Sequence, residues 1–281
     1  MSLLQNKIDF VVLVSVERAN SNGDPLNGNR PRTDYNGYGQ ISDVCIKRKI
    51  RNRMQDLGAD IFVQSDDRRS DGFGSLSERA STTLGKIKDR EEYARLACEK
   101  WLDVRSFGQV FAFKATGGDG VSVGVRGPVS IHQAVSISPV EIDSLQITKS
   151  VNGDPSEKRS SDTMGSKHMV RFGLYKIKGA INVQLAQKTC FTAEDAALIK
   201  ECLRTLFEND ASSARPEGSM QVYKLYWWQH NCPSGQYSSA KVHSLVSVRL
   251  KEGLKAPSAV DDYSITLAQL PGLSCEVIDG I

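Results

Sequence analysis

With 281 residues, of which 40% are hydrophobic and 25% charged, the chain can bury a substantial core, which excludes disorder along its whole length. Its formal net charge is +3, and the apolar run at 8–16 is far shorter than the roughly 20 residues of a membrane helix. No basic leader with a cleavage site surrounds that run, and the six cysteines are scattered, so we expect a cytoplasmic protein with reduced thiols.

The first predicted elements are a strand, a loop and a helix. Residues 8–16 are rich in β-branched side chains and predict a buried strand, and 20–41 form a loop rich in Gly, Asn and Pro. Ser42 is the expected helix N-cap. One apolar stripe then recurs at helical spacing: Ile46, Ile50, Met54 and Leu57.

The cations of this helix are arranged around that stripe. At about 100° per residue, Lys47, Arg48 and Arg51 fall on the opposite face, while Lys49 and Arg53 flank the stripe. The sequence therefore predicts that these cations share a solvent-exposed side.

After this helix, residues 64–88 lack apolar periodicity and predict a mobile insertion. The patterns then predict, in chain order, a helix at 89–104, β-structure at 121–138, a β-hairpin at 145–179, a strand at 180–185, a helix capped by Thr192, and strands at 220–228 and 242–250. Without the insertions the order is strand, helix, two strands, helix, strand. That order predicts an α+β, ferredoxin-like or RRM-like sheet with helices on one face, in a single domain over 1–281.

The hairpin at 145–179 joins two strand-like arms through a polar tip of Asn, Gly, Pro, Ser and Lys, which cannot pack on a core. One interpretation is a surface loop without a specific role. The other is a protruding arm, in which Met164 supplies an apolar wedge and Lys167, His168 and Arg171 supply phosphate contacts.

Positive charge is concentrated between residues 18 and 53. This segment carries three carboxylates and a net charge of +5, whereas the rest of the chain is at −2. Its eight cations are Arg18, Arg30, Arg32, Lys47, Arg48, Lys49, Arg51 and Arg53. A helix N-terminus beside such cations can hold successive phosphates without reading bases, which favours RNA over the alternative of a merely solvated helix face.

Two other functions remain open at this point. Asp24, Asp34 and Asp43 could hold Mg²⁺ in a metal-dependent ribonuclease, although each also fits a turn or a first helical turn. Alternatively, the basic helix could meet an acidic protein partner. The aromatic pair Trp227 and Trp228 could stack on bases, but core or subunit-interface packing is the favoured interpretation.

Several blocks of sequence together resemble one family. They are NGDPLNGNRPRTD, GYGQISDVCIKRKIR, DVRSFGQVF, VRGPVSIHQA and MGSKHMVRFGLYKIKGAIN, in this order over about two thirds of the chain. This set is similar to the backbone subunit of type I-C CRISPR Cascade, the Cas-seven family.

The resemblance implies an RRM-like palm with an inserted finger-like region at about 59–120 and a thumb hairpin at about 145–179. It implies a non-catalytic subunit that stacks head to tail along the CRISPR guide RNA, presents it to target DNA, and meets the guide-processing end-cap subunit and the large subunit. No metal, cofactor or membrane partner is implied. The residues expected to contact RNA are Arg32, Ser42, Lys47, Arg48, Lys49 and Arg51, with Met164, Lys167, His168 and Arg171 in the thumb.

Overall fold

The computed structural model describes residues 2–85, 87–112, 122–148 and 164–281. Two features of the sequence lie outside these residues: the glycine-rich stretch ATGGDG at 115–120, which predicts a turn, and most of the polar tip of the 145–179 hairpin. Within the described ranges, no helix is both long enough and apolar enough to cross a membrane.

The strands of the described chain are β1 (Ile8–Ala19), β2 (Gly23–Asp24), β3 (Arg30–Pro31), β4 (Tyr38–Ile41), β5 (Gly108–Phe111), β6 (Val123–Arg126), β7 (Val129–Ile131), β8 (Ala134–Pro139), β9 (Ile142–Thr148), β10 (Met164–Ile181), β11 (Met220–Gln229), β12 (Val246–Leu250), β13 (Tyr263–Leu267) and β14 (Glu276–Asp279). The helices are α1 (Asp43–Asp56), α2 (Leu76–Leu84), α3 (Arg90–Lys100), α4 (Leu102–Phe107), α5 (Val183–Thr189), α6 (Ala193–Arg204) and α7 (Ser239–His243). Short 3-10 turns lie at Asp66–Arg68 and Val260–Asp262.

One large antiparallel sheet organises the molecule. Its strand order is β14-β11-β1-β10-β8-β4, with β7 and β9 also paired to β10. The β-branched strand β1 lies near the centre and pairs with β10 from Ile8 opposite Ile181 to Ala19 opposite Val170. The predicted buried strand at 8–16 is therefore confirmed, and its continuous apolar run follows from burial on both faces.

Helices α1 and α6 pack on the first face of the sheet. Alternate β1 residues, among them Phe10 and Val12, share a core with Ile46, Ile50 and Met54 of α1. The predicted stripe is thus confirmed at three positions, but Leu57 is exposed because α1 ends at Asp56. The capping box that opens α6, between Thr192 and Asp195, also matches its prediction.

The second face of the sheet is also covered. Val11, Leu13 and Trp228 point to this side and pack under a cover formed by α7, β12 and β13. Part of the predicted strand at 242–250 is therefore wrong, since α7 occupies its start and β12 begins at Val246. Trp227 packs in the core of the opposite face, so the favoured core role of both tryptophans is confirmed.

The finger-like region has a small core of its own, built around Phe62, Trp101 and Phe111. Residues 64–88, for which the sequence predicts a mobile insertion, contain the 3-10 turn and α2. The helix predicted at 89–104 is two helices, α3 and α4, because Trp101 between them has an extended backbone conformation. Its indole packs in this core.

A buried polar cluster holds the cover onto the second face. Asp9 on β1 is fully buried, with its Oδ2 2.8 Å from His230 Nε2 and 3.0 Å from Lys7 Nζ. His243 of α7 places Nε2 2.9 Å from the Gly179 carbonyl oxygen and 3.6 Å from Asp9 Oδ1. Burial lowers the pKa of His243 below its ordinary value.

This pKa shift predicts acid lability. The unfolded chain takes up the His243 proton at about pH 6.5, before the folded protein does, so the unfolding free energy should decrease as pH falls below that value. We expect His243→Gln, whose amide N–H can still reach the Gly179 carbonyl, to flatten this decrease in urea unfolding experiments between about pH 7 and pH 5.5. An unchanged slope in the variant would assign the lability to other groups.

Candidate nucleic-acid interface

The loop at 20–41 has a defined shape. β2 and β3 pair antiparallel, and Asn20 Nδ2 donates to the Asn29 carbonyl oxygen at 2.6 Å. Gly28 and Asn29 both adopt positive φ, a conformation that glycine and asparagine tolerate best. The loop therefore folds back on itself and leads Arg30 and Arg32 past the start of α1.

Asn22 joins this loop to α1. Its Oδ1 accepts hydrogen bonds from Ser42 N and Ser42 Oγ, both at 2.9 Å, and its carbonyl oxygen accepts one from Arg32 N at 3.0 Å. Ser42 Oγ in turn accepts from Cys45 N at 3.3 Å. Ser42 is thus the predicted N-cap, and Asn22 fixes the Arg32 backbone beside the cap.

Arg32 and Lys47 are two of the predicted cations whose side chains remain partly exposed. The Arg32 side chain is 38% exposed with a guanidinium nitrogen 3.3 Å from Asp24, and the Lys47 side chain is 24% exposed with Nζ 3.2 Å from Asp43. Exposed pairs of this kind contribute at most about 1 kcal/mol. Either cation can therefore exchange its carboxylate for a phosphate at little expense.

Arg48 and Arg51 instead hold the finger-like region against α1. Arg48 donates to the Val63 carbonyl oxygen at 2.7 Å, and burial lowers its guanidinium pKa. Arg51 Nε donates at 2.7 Å to Asp103, a carboxylate with 0% exposure that also accepts from Phe62 N and Val63 N. The guanidinium of Arg51 also lies 5.0 Å from the centre of the Phe107 ring.

Lys49 lies in the interior. Its side chain is 4% exposed, pairs with Asp210, and lies 5.4 Å from the Phe207 ring centre. Burial lowers its pKa, outweighing the opposite effect of Asp210. The prediction that the α1 cations share a solvent-exposed side is therefore wrong for Lys49, Arg51 and Arg53, whose side chains are 4%, 12% and 6% exposed. Each pairs with a carboxylate far along the chain: Asp210, Asp103 and Glu208, respectively.

The hairpin arms β9 and β10, where the thumb is predicted, pair in register from Met164 opposite Thr148 to Val170 opposite Ile142. Arg30 connects the loop to them, with a guanidinium nitrogen 3.0 Å from Ser144 Oγ and 3.3 Å from His168 Nδ1. The structure thus brings the cationic loop and the base of the hairpin together. No pattern in the sequence indicates this contact.

The other predicted thumb residues differ in what they contact. Met164 is exposed and its Sδ lies 2.7 Å from Gln146 Nε2, while Lys167 is half-buried. Arg171 is exposed and pairs with Glu141 at 2.5 Å and Asp143 at 3.0 Å. Two carboxylates thus already flank the cation that was expected to meet phosphate.

The three aspartates have the plain structural roles that the sequence offered. Asp24 accepts from Leu26 N in its turn, Asp34 accepts from Asn36 N and Tyr38 N, and Asp43 lies in the first turn of α1 beside Lys47. Throughout residues 2–85, 87–112, 122–148 and 164–281, no three His, Cys, Asp or Glu side chains are grouped to hold a metal ion.

Comparison with known proteins places these features in a family. The family model described as CRISPR-associated protein Cas7 matches residues 6–268. The CRISPR-associated protein Cas7 of Haloferax volcanii is 26% identical over 243 residues, covering 79% of this chain and 69% of that protein. A chain of a solved CRISPR RNA-guided surveillance complex, in a pre-nicking state, has a similar fold with a TM-score of 0.52 at 12% identity, covering 84% of this chain and 81% of that chain. The chain described here therefore belongs to the CRISPR-associated Cas7 family.

Proposed function

We propose that this chain is a non-catalytic, guide-RNA-binding backbone subunit of a type I-C CRISPR Cascade complex. Copies of it stack head to tail along the RNA in the cytoplasm and leave bases free to pair with target DNA. The end-cap subunit and the large subunit complete the assembly. Sequence specificity then comes from base pairing, as in other guided effectors.

We also propose an RRM-like palm, formed by one domain that includes the whole chain. Its elements are β1, α1, β8, β10, α6 and β11, which follow the β-α-β-β-α-β order. The finger-like region and the thumb hairpin are insertions into this order. Because the second face of the sheet is covered by α7, β12 and β13, RNA binding is assigned to the loop and helix beside β4.

One observation carries the proposal: Asn22 holds Arg32 beside the Ser42 cap of α1, while Lys47 emerges one helical turn later. Cations and a helix N-terminus on one surface bind successive phosphates. Of the predicted contacts, we retain Arg32 and Lys47 as direct ones and Ser42 as the cap. Arg48 uses one guanidinium nitrogen to bond Val63, so its other N–H groups are left for a phosphate. Lys49 and Arg51 do not contact RNA in this proposal, and their ion pairs with Asp210 and Asp103 stabilise the helix that carries the site.

The test measures affinity for single-stranded guide RNA against salt concentration. Each phosphate contact contributes about 0.7 to the slope of log K against log[salt] for single strands. We expect Arg32→Gln and Lys47→Gln each to lower affinity and to flatten the slope by about that amount, whatever the RNA sequence.

Arg95→Gln is the matched control, because Arg95 also forms an i,i+4 pair, with Glu99, on a helix outside the loop and α1. Slopes that stay parental in both test variants would contradict the phosphate assignment. Mg²⁺-dependent cleavage of the RNA that is lost in Asp24→Ala would instead favour a ribonuclease.

A further inference from the structure

The loop at 20–41 displays one aromatic side chain that the phosphate contacts do not use. Tyr35 is fully exposed, at 108%. Every other tyrosine, tryptophan and phenylalanine in the described part of the chain is buried or half-buried. Tyr35 is thus an exception to how this protein places its aromatic residues.

The turn that carries Tyr35 is firmly built. Asp34 Oδ1 accepts hydrogen bonds from Asn36 N and Tyr38 N, both at 2.9 Å, and Asp34 N donates to the Tyr38 carbonyl oxygen at 2.9 Å. Gly37 has a φ of 81° and accepts from Val140 N at 2.9 Å, which anchors the turn to the corner before β9. The backbone is therefore fixed on both sides of Tyr35, whose side chain is fully exposed among the residues that the structure describes.

The position of this turn decides which partner Tyr35 fits. Arg32 lies three residues earlier, a chain distance of at most about 11 Å, and Arg30 reaches the base of the thumb from the same loop. Asp24 and Asp34, the carboxylates of the loop, are engaged by Arg32 and by the turn. An aromatic ring close in sequence to a partly exposed cation, here Arg32, is a combination that binds single-stranded nucleic acid, because the ring stacks on a base while the cation holds a phosphate.

We propose that Tyr35 is a base-stacking residue of the RNA-binding surface. The ring provides an apolar face for one base, and Arg32 holds the backbone of the same stretch of RNA. Every base has a flat face, so the contact adds affinity without selecting sequence. The inference rests on the proposed function. It adds a contact with a base, whereas the cations contact only phosphates.

The test compares Tyr35→Ala, Tyr35→Phe and Leu26→Ala with the parent protein. Leu26 is the matched control, since it is 97% exposed at the tip of the neighbouring β2–β3 turn but has no ring. The probes are a short single-stranded RNA that accommodates one copy, an abasic RNA of the same length, and a longer RNA that accommodates several copies. The parental thermal midpoint is expected in all variants, because neither side chain packs on the core.

Tyr35→Ala is expected to weaken binding to the short RNA about fivefold to a hundredfold, with no change in the salt slope and little change on the abasic RNA. Tyr35→Phe and Leu26→Ala should bind as the parent does. Parental affinity of Tyr35→Ala for the short RNA, equal loss on both short RNAs, or loss in Tyr35→Phe would each overturn the inference. Loss confined to the longer RNA would overturn it in favour of a contact between copies. A parent protein that binds none of the RNAs would refute the proposed function itself.

Discussion

Replacing Arg51 by alanine is expected to lower the free energy of unfolding by about 3–5 kcal/mol, the range for removing one partner of a buried ion pair. Asp103 keeps the Phe62 and Val63 N–H groups at 2.6 and 3.1 Å, but it loses the only cation that contacts it in the described structure. The expected decrease is a large fraction of the 5–15 kcal/mol that is the typical free energy of unfolding of a domain. Urea unfolding, followed by the fluorescence of the buried tryptophans, measures it.

The pairing itself is checked by a double-mutant cycle. Asp103→Ala removes the carboxylate, so Arg51→Ala should destabilise the Asp103→Ala protein much less than it destabilises the parent. A variant Arg51→Ala that unfolds at the parental urea concentration but binds RNA poorly would contradict the docking role, and would return Arg51 to the set of direct RNA contacts.

Lys47 and Lys49, two positions apart on α1, are expected to respond in opposite ways to replacement by alanine. Lys49→Ala should lower the free energy of unfolding by about 3 kcal/mol, the low end for a broken buried pair, because Arg215 stays 3.0 Å from Asp210. Lys47→Ala should lower it by no more than about 0.5 kcal/mol, since its i,i+4 pair with Asp43 is partly exposed to solvent.

RNA binding should show the reverse order. We expect Lys47→Ala to weaken RNA binding and flatten its salt dependence, and folded Lys49→Ala to keep the parental slope. Lys49→Met combined with Asp210→Leu should recover most of the lost stability, because burial already lowers the Lys49 pKa and a buried pair is often replaced by apolar groups without loss. A flattened slope in Lys49→Ala would show that Lys49 reaches RNA directly.

These variants are informative because five cations of one helix have different roles. Lys47 is partly exposed beside Asp43, Arg48 and Arg51 dock the finger-like region, and Lys49 and Arg53 bind the segment after α6. Reversing the charge of Lys47, Arg48 and Arg51 together would therefore change both RNA binding and folding. Only the single variants separate the two effects.

The sequence by itself determined the local features of this protein. The central strand, the Ser42 cap, the start of α1 and its buried stripe follow from patterns within about four residues, where backbone geometry fixes which side chains share a face. The Gly and Asn positions of the loop and the concentration of charge between residues 18 and 53 are also local properties. The family resemblance follows from the same stretches, because they are the continuous blocks.

The tertiary structure alone decided which cations are free. Helical periodicity in the sequence predicts on which side of α1 a cation lies, but not what it contacts. The partner of Arg51 is 52 residues away in sequence, at Asp103, and the partner of Lys49 is 161 residues away, at Asp210. Those distances are closed by the packing of the finger-like region and the chain after α6 onto α1, and the resulting loss of solvent turns a charged surface into buried pairs. The same packing explains the exposure of Tyr35: the fold buries or half-buries the other described aromatic residues and leaves this ring, on a turn fixed by Asp34, in solvent.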